Sequence, residues 1–218
     1  MLVEFTLIAG ILTSTLHVIT GPDHLAAVAP FAIESKTKAW KIGFFWSAGH
    51  IVGMAVIGLL YLGFKDLLPV EAISGYSEQL VGIVLIGVGL WAIYKMYTSK
   101  YQQSLLLQKY NDVVDNPSKA KRQNHFASFS IGILHGLAGV VHFMLLLPVL
   151  GFEKQLDSIL YITGFCIGII LAMTIFSFVI GKAAQLSKYR QNISLFNGIR
   201  LAGGLFAIVI GVYWILNV

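Results

Sequence analysis

LHVITGPDHLAAVAP, Leu16–Pro30, places two histidines, an aspartate and a Gly-Pro pair in the middle of a long apolar run. Burying an ionisable side chain in hydrocarbon costs from about 2.5–3.5 kcal/mol on insertion scales to 10 or more by other estimates. Such groups are retained where they face a bundle interior and serve a pathway. Whether this run is a membrane span, and what its polar centre holds, determines how the rest of the chain is read.

The surrounding composition is that of an integral membrane protein: 57% hydrophobic residues, 11% charged, mean hydropathy +0.79 over 218 residues. A helix needs about 20 apolar residues to cross a hydrocarbon core of roughly 30 Å. Six stretches qualify, at about 4–31, 40–63, 78–97, 126–150, 157–181 and 198–217. They nearly fill the chain, which leaves no soluble catalytic domain, so a non-enzyme is expected. The first stretch is too long and too polar inside for a cleaved signal peptide.

The formal charge of +5 reports topology and gives no reason to expect a nucleic-acid partner. Lys36, Lys38 and Lys41 lie between spans one and two, and Lys95, Lys100, Lys109, Lys119, Lys121 and Arg122 between three and four. Lys182, Lys188, Arg190 and Arg200 lie between five and six, leaving only Lys65 and Lys154 for the other side. By the positive-inside rule the basic side is cytoplasmic and both termini lie outside. The expected location is a bacterial inner or plasma membrane, with the lipid bilayer as the surrounding partner.

LHVITGPDHLAAVAP has a counterpart in LHGLAGVVHFMLLLP, residues 134–148. Leu16, His17, Gly21, His24 and Pro30 match Leu134, His135, Gly139, His142 and Pro148 at a constant offset of 118. Further on, Gly49 and Met54 precede Gly168 and Met173 by 119, and Gly82 and Gly89 precede Gly204 and Gly211 by 122. Three spans per half would bring the second half into the membrane from the opposite side. The expected fold is therefore all-α and polytopic, with two inverted three-helix repeats, 1–97 and 126–218, joined by a cytoplasmic linker over 98–125. Secondary transporters are built this way, with substrate sites near the midplane on broken helices. The linker reads as polar, with a short surface helix at Ser104–Tyr110 and a solvent-facing His125.

Five histidines (17, 24, 50, 135 and 142) and Asp23 fall within these spans. Neutral imidazole suits nickel, zinc, copper, cobalt and iron, and a carboxylate adds a hard ligand that offsets charge. No thiolate is near, since Cys166 is the only cysteine; it reads as a small core residue with no internal disulfide and no CxxC motif. Met54, Met144 and Met173 could offer thioethers but read as packing.

In one continuous helix His17 and His24 would lie about 10 Å apart along the axis. Two imidazole nitrogens on one ion must lie within about 4 Å of each other. Gly21-Pro22 supplies the necessary break, because proline lacks a backbone donor, clashes with the preceding turn and suits the first position of a new helix. Carbonyls around Val18–Thr20 would then face a cavity. His50, about ten residues into span two, is the best further ligand. The expected metal site is His17, Asp23, His24 and His50, with His135 and His142 as a second site or relay. Val140 and Val141 stand where the first span has Pro22 and Asp23. Gly49 and Gly53, and the glycines of spans three and six, read as close-packing positions. Trp40, Trp46, Tyr61, Tyr76, Trp91, Tyr94 and Trp214 read as interfacial belts.

At HVITGPDH the chain resembles the nickel/cobalt transporter superfamily, whose signature is a histidine followed by Asp-His on an early membrane helix. Five residues separate His17 from Asp23 here, the spacing of the urease-accessory-type nickel permeases; the main branch has one fewer. WSAGHIVG resembles the family's glycine-histidine on the next helix, and GILHGLAG its second-half His-Gly motif. The resemblance covers spans one, two and four. It implies transport of Ni²⁺ or Co²⁺ with His17, Asp23, His24 and His50 as selectivity ligands, and no cofactor beyond the transported ion. Export is an alternative to uptake. A haem or redox protein with paired membrane histidines as axial ligands is an alternative from another class, and a metal-dependent membrane hydrolase, with Asp23 as base, is a third. A homo-oligomer is left open.

Overall fold

A computed structural model describes residues 2–35, 38–64, 70–106, 117–138, 147–189 and 193–217. The described residues are helical apart from short connections: α1 Leu2–Thr20, α2 Pro22–Glu34, α3 Ala39–Phe64, α4 Val70–Leu106, α5 Pro117–Leu137, α6 Gln155–Tyr189 and α7 Ile193–Leu216, with one 3₁₀ turn at Leu147–Gly151. Four of these, α3, α4, α6 and α7, contain segments long and apolar enough to cross a membrane. The broken pair α1 and α2 makes a fifth candidate.

The break falls at Gly21. Its amide donates to the His17 carbonyl at 2.9 Å, closing the last turn of α1. Gly21 itself is extended (φ −87°, ψ 94°), the conformation into which a following proline steers its neighbour. Pro22 then occupies the first turn of α2, where a missing N–H costs nothing. The two helices meet at a bend of 74°. The expectation of a helix broken at Gly21-Pro22 is met.

Outward and inward faces are inverted relative to a water-soluble bundle. Phe5, Ile8, Leu12, Leu16 and Ile19 form an exposed apolar stripe along α1, at helical spacing. Ser14 and Val18, on its other face, are buried. Large exposed apolar side chains continue around the bundle, among them Ile83, Ile175 and Val209. Such an exterior suits lipid and would be costly in water. By contrast α2 is buried along almost its whole length, from Asp23 to Ile33.

The closest helix pairings are α1 with α6, α3 with α5, and α4 with α7. Each is a near-backbone contact between small residues, the usual packing where lipid supplies no hydrophobic drive. A Cβ on Gly168 would strike the Ile11 carbonyl, and one on Gly49 would strike that of Phe129. Gly10 lies against the Tyr161 carbonyl, and at the corresponding place Ser128 donates to the Ile42 carbonyl at 2.8 Å. Gly82 meets Gly211 as Gly204 meets Gly89. These partners are related by the same sequence offsets of 118, 119 and 122.

Several expectations change. The polar stretch after residue 97 continues α4 as far as Leu106, so no separate helix starts at Ser104; nothing from Tyr101 to Leu106 breaks a helix. Residues 107–116 lie outside the described residues. His125 belongs to α5, which begins at Pro117, and its ring stacks on Phe45 at 5.1 Å and 17°. It is half-buried, and desolvation first, then Lys41 and Lys38, lower its pKa from the ordinary histidine value. Cys166 is partly exposed on α6, while Met54 and Met173 are core residues. The fourth expected span, 126–150, is described as helix only to Leu137.

Candidate metal centre

The break in the first span brings its two histidines together. His17 stands in the last turn of α1 and His24 in the first turn of α2. Their ring centroids are 4.6 Å apart, against about 10 Å of axial rise in an unbroken helix. His50 of α3 joins them, its ring 5.3 Å from that of His24 and 6.5 Å from that of His17. One ligand nitrogen from each of the three lies within 4.8 Å of the others. A common ion would need nitrogens within about 4 Å, so a contraction of under about 1 Å closes the site.

Asp23, buried beside them, faces two imidazoles. One carboxylate oxygen is 3.8 Å from His24 Nδ1 and the other 3.8 Å from His135 Nε2. The position suits it twice over. As an anion in the first turn of α2 it offsets the positive end of the helix dipole, and it supplies negative charge against the imidazoles. His135, in the last turn of α5, is held by its other nitrogen: Nδ1 lies 3.3 Å from the Ile131 carbonyl, to which an Nδ1–H tautomer donates. Its ring is 5.9 Å from that of His24, so it adjoins the same cluster. His142, Gly139 and Met144 lie outside the described residues.

Trp46, expected in an interfacial belt, lies instead in the core. Trp46 is fully buried and forms the aromatic wall of the cluster. It stacks on His50 at 4.8 Å and 12°, and meets His24 and His135 edge-on at 5.3 and 5.5 Å. Its indole N–H has no hydrogen-bond partner among the described residues. One signal was available in the sequence: Trp46 precedes His50 by four residues on one helix, so the two share a face.

The histidines are packed by helix contacts that leave little freedom. The Gly132 and Gly136 backbones press on Trp46 and His50 of α3, and any Cβ at Gly21 would meet the His24 ring. Charges also gather at the far end of α2, where Glu34 pairs with Lys95 and Arg200. In the sequence Lys95 and Arg200 report only topology; their pairing with Glu34 is visible in the structure alone.

An apolar exterior enclosing a buried cluster of imidazoles and one carboxylate defines an integral membrane protein with a polar centre. The chain belongs to the family described as the cytochrome c biogenesis protein transmembrane region, which it matches over residues 5–215. It is similar to the urease accessory protein UreH of Bacillus sp. (strain TB-90), 32% identical over 90% of this chain and 84% of that one. It is also similar to two proteins of Arabidopsis thaliana, chloroplast protein FOR GROWTH AND FERTILITY 2 and 1. These are 32% and 31% identical over 82% of this chain and 48% and 50% of their own lengths. The chain thus spans about half the length of the chloroplast relatives. No solved structure matches it.

Proposed function

We propose that the protein is a permease for a divalent transition-metal ion, with nickel first and cobalt second among the candidates, working in the direction of uptake. The ion would be held by His17, His24 and His50, with Asp23 offsetting its charge from beside His24 and His135. The observation that carries this reading is the convergence of three imidazoles from α1, α2 and α3 across a broken membrane helix. Broken helices at mid-depth are where transporters bind ions. Imidazoles without a thiolate suit nickel and cobalt. The likeness to a urease accessory protein is compatible with a metal-related role.

Two inverted three-helix halves and six spans belong to the same proposal. They are supported by the matched contacts: Gly168 with Ile11 as Gly49 with Phe129, and Gly10 with Tyr161 as Ser128 with Ile42. The distribution of basic residues supports a cytoplasmic side for the loops between spans one and two, three and four, and five and six.

Redox readings fit less well. Thiol–disulfide exchange, which side chains alone could perform, needs two cysteines, and the chain has only Cys166. Haem between paired axial histidines needs a flat slot as broad as the macrocycle between two imidazoles, whereas here His24 lies edge-on to both His17 and His50 and Trp46 is stacked on His50.

The test is uptake of radioactive nickel into proteoliposomes, beside His17→Ala, His24→Ala and His50→Ala. Wild-type protein accumulates the ion, and each variant, inserted normally, loses about a hundredfold in affinity or more. Normal transport by all three would refute the site.

A further inference from the structure

The basic face of the bundle holds a charge cluster separate from the imidazoles. Glu34 is the last residue of α2. One of its carboxylate oxygens accepts from Arg200 Nε of α7, and the other lies 3.0 Å from Lys95 Nζ of α4. Arg200 is 5% exposed, and among the described residues it is the only buried Lys or Arg. Both cations have aromatic support: Lys95 lies 4.8 Å over Trp91, and Arg200 5.2 Å over Phe196. Trp91 in turn stacks on Phe31 of α2 at 5.1 Å.

A buried ion pair is a weak device for stability alone, since apolar residues of similar volume would serve as well. Its placement indicates another use. α2 is hinged at one end by Gly21-Pro22 and clamped at the other by Glu34. Between them its buried residues include Ala26, Ala27, Ala29 and Ala32, whose short side chains interlock little with their neighbours. A half-helix with a hinge, a smooth flank and one polar clamp has the parts of a gate. His24 stands at the hinge end, about 15 Å of helix from Glu34.

We propose that Glu34, Arg200 and Lys95 form a charged latch that holds α2 closed over the basic face, and that its release opens the way between the His17–His24–His50 cluster and that face. This regulates the site of the proposed function and rests on that reading for its purpose, though not for its test.

The test is thiol accessibility in the full chain. In a Cys166→Ser background, Ala27→Cys places a buried thiol on α2, and a membrane-impermeant maleimide is applied from each face of reconstituted vesicles. With the latch intact the thiol reacts slowly. Glu34→Gln is expected to raise labelling from the face bearing Lys38 and Lys41 by about tenfold or more, because one broken clamp shifts a two-state element by that order. Labelling from the opposite face stays unchanged. The exchange Glu34→Arg with Arg200→Glu and Lys95→Glu, which reverses all three charges, restores slow labelling. Lys95→Gln, which removes only the exposed arm, gives an intermediate rise and carries the test if Glu34→Gln does not assemble. Unchanged labelling in the assembled variants would overturn the latch and leave a static staple in its place. Labelling needs no metal, so a chain that binds no nickel can still show the latch, and a chain without the latch can still bind nickel.

Discussion

The first span and α5 start from nearly the same words, LHVITGPDH and LHGLAGVVH, and differ most where it matters. In the first, Gly21-Pro22 turns the chain by 74° and folds His24 back onto His17. In the second, valines stand at the positions of Pro22 and Asp23. α5 is one helix as far as Leu137, and it delivers a single described imidazole, that of His135, to the edge of the cluster beside Asp23. In the first span the interruption between the two histidines is what brings their rings together; the stretch from Gly139 to His142 lies outside the described residues. Proline makes the corner, and in the proposed function the aspartate beside it would offset the charge of the bound ion.

The sharpest way to break that comparison is to give the first span the wording of the second. Pro22→Val with Asp23→Val removes both corner and charge, and nickel binding should fall by about a hundredfold or more while the chain still inserts. Binding within a few-fold of wild type would show that the interruption is incidental. Isothermal titration in detergent reads the difference.

A smaller change tests the corner itself. Gly21→Ala keeps both helices but puts a methyl group where the His24 ring lies. The ring must shift, and affinity should drop by about tenfold, or roughly 1.4 kcal/mol. Thermal stability without metal should change little. Unaltered affinity would mean that His24 reaches the ion from elsewhere.

Smaller again is the effect at the rim. His125 of α5 stacks on Phe45 where the first half of the molecule has Leu7 beside Gly164. Its pKa is lowered, by desolvation first and then by Lys41 and Lys38. The unfolded chain therefore takes up this proton more readily than the folded one, so the histidine's contribution is present above its ordinary pKa, about 6.5, and lost as pH falls below it. His125→Phe keeps the stack and should flatten the loss of melting temperature between about pH 7 and 5.5. An unchanged slope would place the acid sensitivity elsewhere. Metal binding is expected to weaken below about pH 6 in both proteins, since ligation requires neutral imidazole.

Much of this was legible in the residues. A Gly-Pro pair between two histidines points to the break, because proline removes a backbone donor and steers the glycine before it to an extended conformation, whereas Pro30, which follows Ala29, stays inside α2. His50 was legible from depth alone, as an ionisable group mid-span needs a polar reason to be there. Trp46 was misread because composition gives depth along a span but not which face turns inward. The four-residue step to His50 held that information. The Glu34–Arg200 contact joins residues 166 apart in the chain, and no local pattern announces a pairing at that distance. The span expected at about 78–97 agrees with the apolar part of α4, but the polar residues after it read as a linker with its own short helix, whereas α4 continues through them to Leu106 because none of them is a helix breaker.

The most direct test of the central claim is X-ray absorption at the nickel edge on the loaded protein. Three imidazole nitrogens near 2 Å should dominate the first shell, with the outer-ring scattering that marks histidine, and His50→Ala should reduce them to two. A first shell of oxygens or sulfur without imidazole scattering, or a spectrum unmoved in His17→Ala, His24→Ala and His50→Ala, would contradict the account.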